Sequence, residues 1–369
     1  MSQATAGTLT GDAKTDDVKT ATNGGAAPEG GETPAAGEPP EFVLMKLLSG
    51  FALSQSLYVA ARLGLADLLA EGARPVEELA RAAGAQPGPL YRVMRLLAGV
   101  GVFREEAPRS FGLGPVGVAL KSDGPGSMRS MALHLCEAPS WRAWGELMHT
   151  VTTSETAFAH ANGAEVFPYY AAHPESAEPF NRAMTEMSAA VAGAVVRAYD
   201  FSGFGRIVDV GGGHGHLLAE VLRANPEARG VVYDQPEVVE GARAGAAGLG
   251  GRLEVEGGDF FESVPASGDA YLLKHIIHDW DDERALAILR NIRRAMGPEA
   301  RLLLVEWVVP EGDEPSMAKF GDVHMMVMTG GQERTAEEYA RLFERAGFRL
   351  TRVVETESQM AVIEAVGAG

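Results

Sequence analysis

The chain has 369 residues, 46% of them hydrophobic, and carries 32 basic against 50 acidic side chains for a net charge of -18. A chain of that size can bury a large core and has room for two domains plus an appendage. Its acidic surplus, with no Lys/Arg cluster, repels phosphate backbones and lipid heads and argues against nucleic-acid and membrane partners. The lone Cys136 excludes an internal disulfide and a thiolate metal cluster, and with no signal segment and no run near the ~20 apolar residues of a membrane span, the expected location is the cytoplasm.

Residues 1 to 40 are mostly Gly, Ala, Thr, Pro and Glu, too poor in large apolar side chains to offset the entropy of ordering, and are expected to form a disordered tail. From Phe42 an apolar helical pattern begins, running through Val43, Leu44, Leu47, Leu48, Phe51 and on to Leu63. The stretch PVEELARAAGAQPGPLYRVMRLLAGVGVF predicts two helices around a turn holding Gly84 and Pro87, and Phe111, Leu113 and Val116 suggest a short hairpin wing. A winged helix could read DNA, but the second helix offers only Arg92 and Arg95. Residues 41 to 120 are therefore read as a mainly helical winged-helix dimerisation domain, implying a homodimer.

Residues 121 to 195 keep a helical period and read as a connector or lid. After Phe204, strand-like runs alternate with amphipathic helices. Residues 196 to 369 are thus expected to be an α/β, Rossmann-like doubly wound domain with strands at 206 to 210, 229 to 233, 252 to 255, 269 to 275, 301 to 308, 348 to 355 and 359 to 366.

The first of these strands runs into VGGGHGH, where Gly211, Gly213 and Gly215 permit positive φ and let a ligand lie against the backbone at a helix N-terminus. His216 occupies the place of a further glycine in the dinucleotide fingerprint, which disfavours hydride chemistry; a tight strand-to-helix turn is the structural alternative. Asp234 closes the next strand, where a carboxylate can accept both ribose hydroxyls, though an Asp in a surface turn would look the same. Asp259 and Phe260 close a third, suiting the amine and the face of an adenine. Ligands of open α/β sheets lie at such carboxyl ends.

His278 falls between a strand and a helix that begins near Asp281 and Asp282. An imidazole, titrating around ~6.5, can take a proton from a phenol near neutral pH, whereas a lone His at a strand end is more often structural. Glu306 ends one strand and Glu333 precedes a helix that Thr335 and Glu338 would cap as a box. Singly each reads as a solvated charge; together they would orient the imidazole and favour its protonated form.

The ordered set VDVGGGHG, VVYDQP, GGDFF, LLKHIIHDWDD, VEWVVP and GGQERT resembles the plant caffeate and flavonoid O-methyltransferases and their actinobacterial relatives that decorate aromatic polyketides, anthracyclines and phenazines, from about residue 42 to the end. The resemblance implies a class I methyltransferase domain behind a dimerisation domain, S-adenosylmethionine (SAM) as methyl donor with S-adenosylhomocysteine as product, and no metal. It makes His278 the general base with Glu306 and Glu333 beside it. It places Gly211, Asp234, Asp259, Phe260 and Lys274 against the cofactor, with Asp279 and Trp280 bordering the same pocket. For an aromatic acceptor it implies Asn181, Met184, Met187, Met325 and Met328, with Trp144 and Phe158 upstream, although methionine stripes are usually core. Plant members carry a longer segment where this chain reads MMVMTGG, so their substrates do not transfer.

Two other classes stay open at this point. Some relatives in anthracycline pathways act in hydroxylation or decarboxylation, and fold does not fix function. The winged helix would also suit a DNA-binding sensor, against which the charge argues.

Overall fold

The computed structural model describes residues 38–124, 126–245 and 248–369, so the expected tail lies, up to residue 37, outside the described residues. The first helix, Pro40–Arg62, opens on a proline, whose missing N–H costs nothing there. Only Ser56, Ala60 and Ala61 of its residues are buried, while Phe42, Leu44, Met45, Leu47, Leu48 and Phe51 are each more than half exposed. By length and composition this helix could cross a membrane, which corrects the expectation that no such run exists. Lys46, Ser49 and Gln55 interrupt the apolar run without making its average polar.

Helices Val76–Ala83 and Pro87–Ala98 follow, joined through Gly84 at φ +66°. Strands β1 (Arg74–Pro75), β2 (Phe103–Ala107) and β3 (Ser110–Leu113) pair in the order β1-β3-β2. The wing is thus the β2–β3 hairpin, with Val116 beyond it and exposed. Leu65, Leu79, Met94, Leu97, Phe103 and Phe111 close the core of this unit.

The connector is more broken than its periodicity predicts. Short helices Arg129–Cys136, Ala138–Gly145, Leu147–Thr153, Ala157–Asn162 and Val166–Ala172 precede the long helix Pro174–Ala198. Left-handed residues at Ser154 and Gly163 end two of them.

The last part is a seven-stranded sheet of β4 (Arg206–Val210), β5 (Arg229–Asp234), β6 (Leu253–Gly257), β7 (Ala270–Lys274), β8 (Arg301–Glu306), β9 (Phe348–Glu355) and β10 (Ala361–Gly367), ordered β6-β5-β4-β7-β8-β10-β9. The first five are parallel, and β10 runs antiparallel to both β8 and β9. The strand centres of β7 and β8 read as unbroken apolar runs, and β4 does so but for Asp209, because helices cover both faces. Strand order reverses between β4 and β7, and the crevice beyond their carboxyl ends is where a doubly wound sheet receives its ligand.

Candidate active site

At the end of β4 the backbone turns through Gly211, Gly213 and Gly215 at φ +69°, +56° and +73°, and the helix His216–Ala224 begins. A Cβ on Gly211 would stand 2.5 Å from Ile276 Cδ1, so no larger residue fits there. A Cβ on Gly213 would meet nothing within 4 Å, so the turn faces open space. Asp234 stands beside it, one carboxylate oxygen accepting the Gly213 N–H at 2.8 Å and the other that of Gln235 at 2.7 Å. Phe260 reaches within 3.6 Å of the same Gly211 position. The exposed Asp259 accepts the Phe261 N–H at 2.8 Å. Trp280 packs edge-on to Phe261 at 4.9 Å, with the Arg284 guanidinium over its ring and its own buried Nε1 without a partner.

Sequence reasoning passed over Asp209, which looks like one more strand residue. It is buried beneath the turn, its Oδ2 lying 2.7 Å from where a Gly212 Cβ would be. Burial pushes its carboxyl up to about 7 against the pull of Lys274, and burial holds Lys274 in turn below its ordinary value.

Beyond β7 the chain makes a short turn, Ile277–Asp279, that carries the buried His278. Glu306, wholly buried at the end of β8, accepts the N–H groups of Ile276 and Ile277 at 3.0 Å each and so fixes that turn. Nδ1 of His278 stands 2.6 Å from Glu333 Oε1 and 3.7 Å from Glu306 Oε2, while Nε2 lies 3.7 Å from Asp279 Oδ1. Burial alone would lower this imidazole; the charges of Glu306, Glu333 and Asp279 outweigh it and raise it to about 10. Burial raises Glu306 to about 7 and Asp279 to about 6, His278 pulling both back. The result is a strongly basic imidazole held by one nitrogen.

The GGQERT loop is the clamp. A Cβ on Gly331 would fall 2.0 Å from the His278 carbonyl oxygen, and the Gln332 N–H donates to that oxygen at 2.9 Å. Arg334, buried and unnoticed in the sequence, donates to the carbonyls of Ile277 and Trp280 and to Asp282. Thr335 and Glu338 form the expected capping box.

With this arrangement in view, the profile of an O-methyltransferase domain matches residues 144–349 and that of an O-methyltransferase dimerisation domain matches residues 45–123. The chain belongs to the O-methyltransferase family. It is 48% identical over 329 residues to the phenazine O-methyltransferase of Lysobacter antibioticus, covering 89% of this chain and 96% of that one. The crystal structure titled LaPhzM superposes with a TM-score of 0.84 at 47% identity, covering 89% of this chain and all of that chain. The neocarzinostatin O-methyltransferase NcsB1, solved with SAM and 2-hydroxy-5-methyl naphthoic acid, superposes with a TM-score of 0.75 at 30% identity, covering 85% and 95%.

The O-methyltransferase uses SAM. Its residues fit that molecule: the glycine turn opens onto free space at Gly213, with the Asp234 carboxylate bonded to it and the Phe260 ring beside Gly211. The helix Pro40–Arg62 falls largely within the dimerisation match, which gives its exposed apolar face a protein partner as destination.

The acceptor residues implied by resemblance divide. Trp144, Met184 and Met325 are half-buried, on the helices Ala138–Gly145, Pro174–Ala198 and Met317–Met328. Phe158 (0% exposed) and Met328 (3%) are buried in a core with Tyr170 and Val327. Met187 packs on the sheet-side core. Asn181 is exposed on the long helix, in a groove of about 470 Å³ that it lines with Glu178 and Arg182. Sequence reasoning also missed His134, Tyr170, Phe180, Phe320 and His324, whose rings pack around Trp144 and one another. Only the apolar members carry a helical signal, and two isolated histidines carry none.

Proposed function

We propose that this O-methyltransferase transfers the methyl group of SAM to a phenolic hydroxyl of an aromatic natural product, with His278 as proton acceptor, Glu306 and Glu333 as its orienting acids, and no metal. One observation carries the reading: His278 is held through Nδ1 at 2.6 Å by Glu333, which leaves Nε2 for an incoming hydroxyl. SAM, when bound, supplies a sulfonium methyl open to in-line displacement. Gly211, Gly213 and Gly215 give its backbone cradle, Asp234 accepts ribose hydroxyls, and Asp259 and Phe260 take the adenine edge and face. Lys274, Asp279 and Trp280 close the pocket. The phenazine and naphthoic acid named with the relatives support a planar hydroxylated acceptor.

A phenol titrates near ~10, and the carboxylates raise His278 to about 10. Phenol with neutral imidazole, and phenolate with imidazolium, are then close in free energy, and the proton moves with little cost. We place the enzyme in the cytoplasm as a homodimer joined through residues 41 to 120, with 121 to 195 as lid and 196 to 369 as the catalytic domain.

Incubation with isotopically labelled SAM and a panel of phenolic polyketides and hydroxyphenazines, read by mass spectrometry, should give products heavier by one methylene. A gain of one oxygen or a loss of carbon dioxide would instead support hydroxylation or decarboxylation. His278→Ala should lower kcat by about 10²- to 10⁴-fold with SAM affinity nearly unchanged, and Asp234→Ala should do the reverse. Equal loss of SAM binding in both contradicts the assignment. His278, Glu306 and Glu333 are close enough together to hold a metal ion, so the metal-free reading also requires that turnover survive EDTA; loss restored by added metal overturns it.

A further inference from the structure

On the lid side of the site, the helix Met317–Met328 runs inward from its exposed Met317 and Phe320 to the buried Val327 and Met328. Midway, the ring of His324 lies nearly parallel to Trp144 and Phe320, with centroids 6.0 and 5.8 Å away, and edge-on to His134 at 6.4 Å. The two histidines differ in one respect. His134 Nδ1 has the Tyr170 hydroxyl at 3.3 Å, whereas His324 Nδ1 is buried with no hydrogen-bond partner, in a residue only 8% exposed. Leaving such a nitrogen dry and unpaired costs about 1–3 kcal/mol unless a bound molecule satisfies it.

The helix also fixes where this nitrogen stands relative to the chemistry. Gly321 packs against Trp307, and its Cβ position lies 3.4 Å from Glu333 Oε1, while the neighbouring Asp322 accepts the Glu333 N–H at 3.1 Å. His324 comes one turn later, ~4.5 Å along the axis. His324 is thus one turn beyond the two residues of this helix that face Glu333. Burial first, and then the charge on His278, hold its imidazole down at about 4, so it is neutral at physiological pH and offers hydrogen bonds without a counter-ion's charge.

We propose that His324 is a specificity-determining residue whose Nδ1–H donates to a second polar atom of the acceptor, a ring nitrogen or carbonyl oxygen lying one ring away from the methylated hydroxyl, while Trp144 and Phe320 flank the ring system. The substrate class is then narrower than a phenol: a planar polycycle with an uncharged hydrogen-bond acceptor in its framework. A carboxylate is disfavoured because the neutral His324 gives it no opposite charge. This rests on the methyltransferase reading for the position of the hydroxyl, but the nitrogen's need for a partner does not.

The test uses the full chain saturated with S-adenosylhomocysteine and two isosteric probes, 1-hydroxyphenazine and 1-hydroxyanthracene, which differ only in their ring nitrogens. Dissociation constants are measured by fluorescence or calorimetry. The wild-type chain should bind 1-hydroxyphenazine about tenfold tighter, the worth of one neutral hydrogen bond. His324→Leu should abolish the preference by weakening the phenazine alone, and His324→Asn, which keeps a polar nitrogen near the Nδ1 position, should restore most of it. If the leucine variant does not fold, His324→Met takes its place. No preference in the wild type, or equal weakening of both probes in a folded variant, overturns the proposal. Transfer is read in a separate incubation with SAM, where a His324-dependent preference without any methylated product counts against the methyltransferase reading and leaves His324 in its role.

Discussion

An imidazole in water titrates around ~6.5, and His278 has been moved to about 10 by three carboxylates gathered from separate parts of the chain. The sign of that shift sets two expectations. Because the folded state holds a proton that the unfolded state releases, the stabilisation is complete below pH ~6.5 and is lost as pH rises through about 10. Chemical denaturation across that range should show stability falling in the wild type and falling less in Glu306→Gln; parallel curves would refute the coupling. Activity has the opposite slope, since the phenol and imidazole pair must shed its extra proton before transfer. kcat/KM should rise with pH above neutrality, and Glu306→Gln, whose amide oxygen can still accept the Ile276 and Ile277 N–H groups, should move that rise to lower pH with a lower plateau. An unmoved profile would show that Glu306 serves only to hold the turn.

Among the elements, the site depends on two loops that clasp each other. The turn after β7 carries the base, and the GGQERT loop carries Glu333, with Gln332 and Arg334 bonding back to the first turn. Arg334 uses the fork of its guanidinium on two carbonyls and a carboxylate at once, a pattern that a lysine's single ammonium does not reproduce. Arg334→Lys should therefore cost about 2 kcal/mol in denaturant titration and lower kcat more than it alters SAM affinity. An unchanged unfolding midpoint would remove Arg334 from this role. Gly331→Ala presses a methyl group onto the His278 carbonyl and should lower turnover in a chain that still folds; wild-type kinetics would show that the loop yields freely. Thr335 and Glu338 betrayed this helix start in the sequence, since a capping box is spelled within four residues. Arg334 gave no such sign, because an Arg beside a Glu reads as a solvated pair until the backbone it serves is known.

For the whole molecule, the helix Pro40–Arg62 carries six of the sixteen large apolar side chains that are exposed among the described residues. An apolar stripe of that extent requires a partner, and its place in the dimerisation match supports a second copy. Leu47→Glu with Leu48→Glu should convert a dimer to a monomer in light scattering while the circular dichroism spectrum stays the same. A dimer that survives both charges would send the interface elsewhere.

What was legible from the chain is what is written locally. The seven strands and their glycine turn, the N-terminal helix pair and its wing, and the helix caps each follow from patterns a few residues long, which is why the strand bounds erred by only a residue or two at several ends. The placement of Asp234, Asp259 and His278 at or just beyond the carboxyl ends of β5, β6 and β7 also followed, because the strand pattern fixes where each strand stops. Folding decided the rest. Phe158 and Met328 are buried in a core and Asn181 is exposed, a difference that their helical spacing does not announce. The proton affinity of His278 depends on a bond to a glutamate 55 residues away, and the unpartnered nitrogen of His324 lies where the helix Met317–Met328 meets the helices that carry His134 and Trp144. Burial and charge act through space, so a period in the sequence can announce a helix but not what its side chains will find across from them.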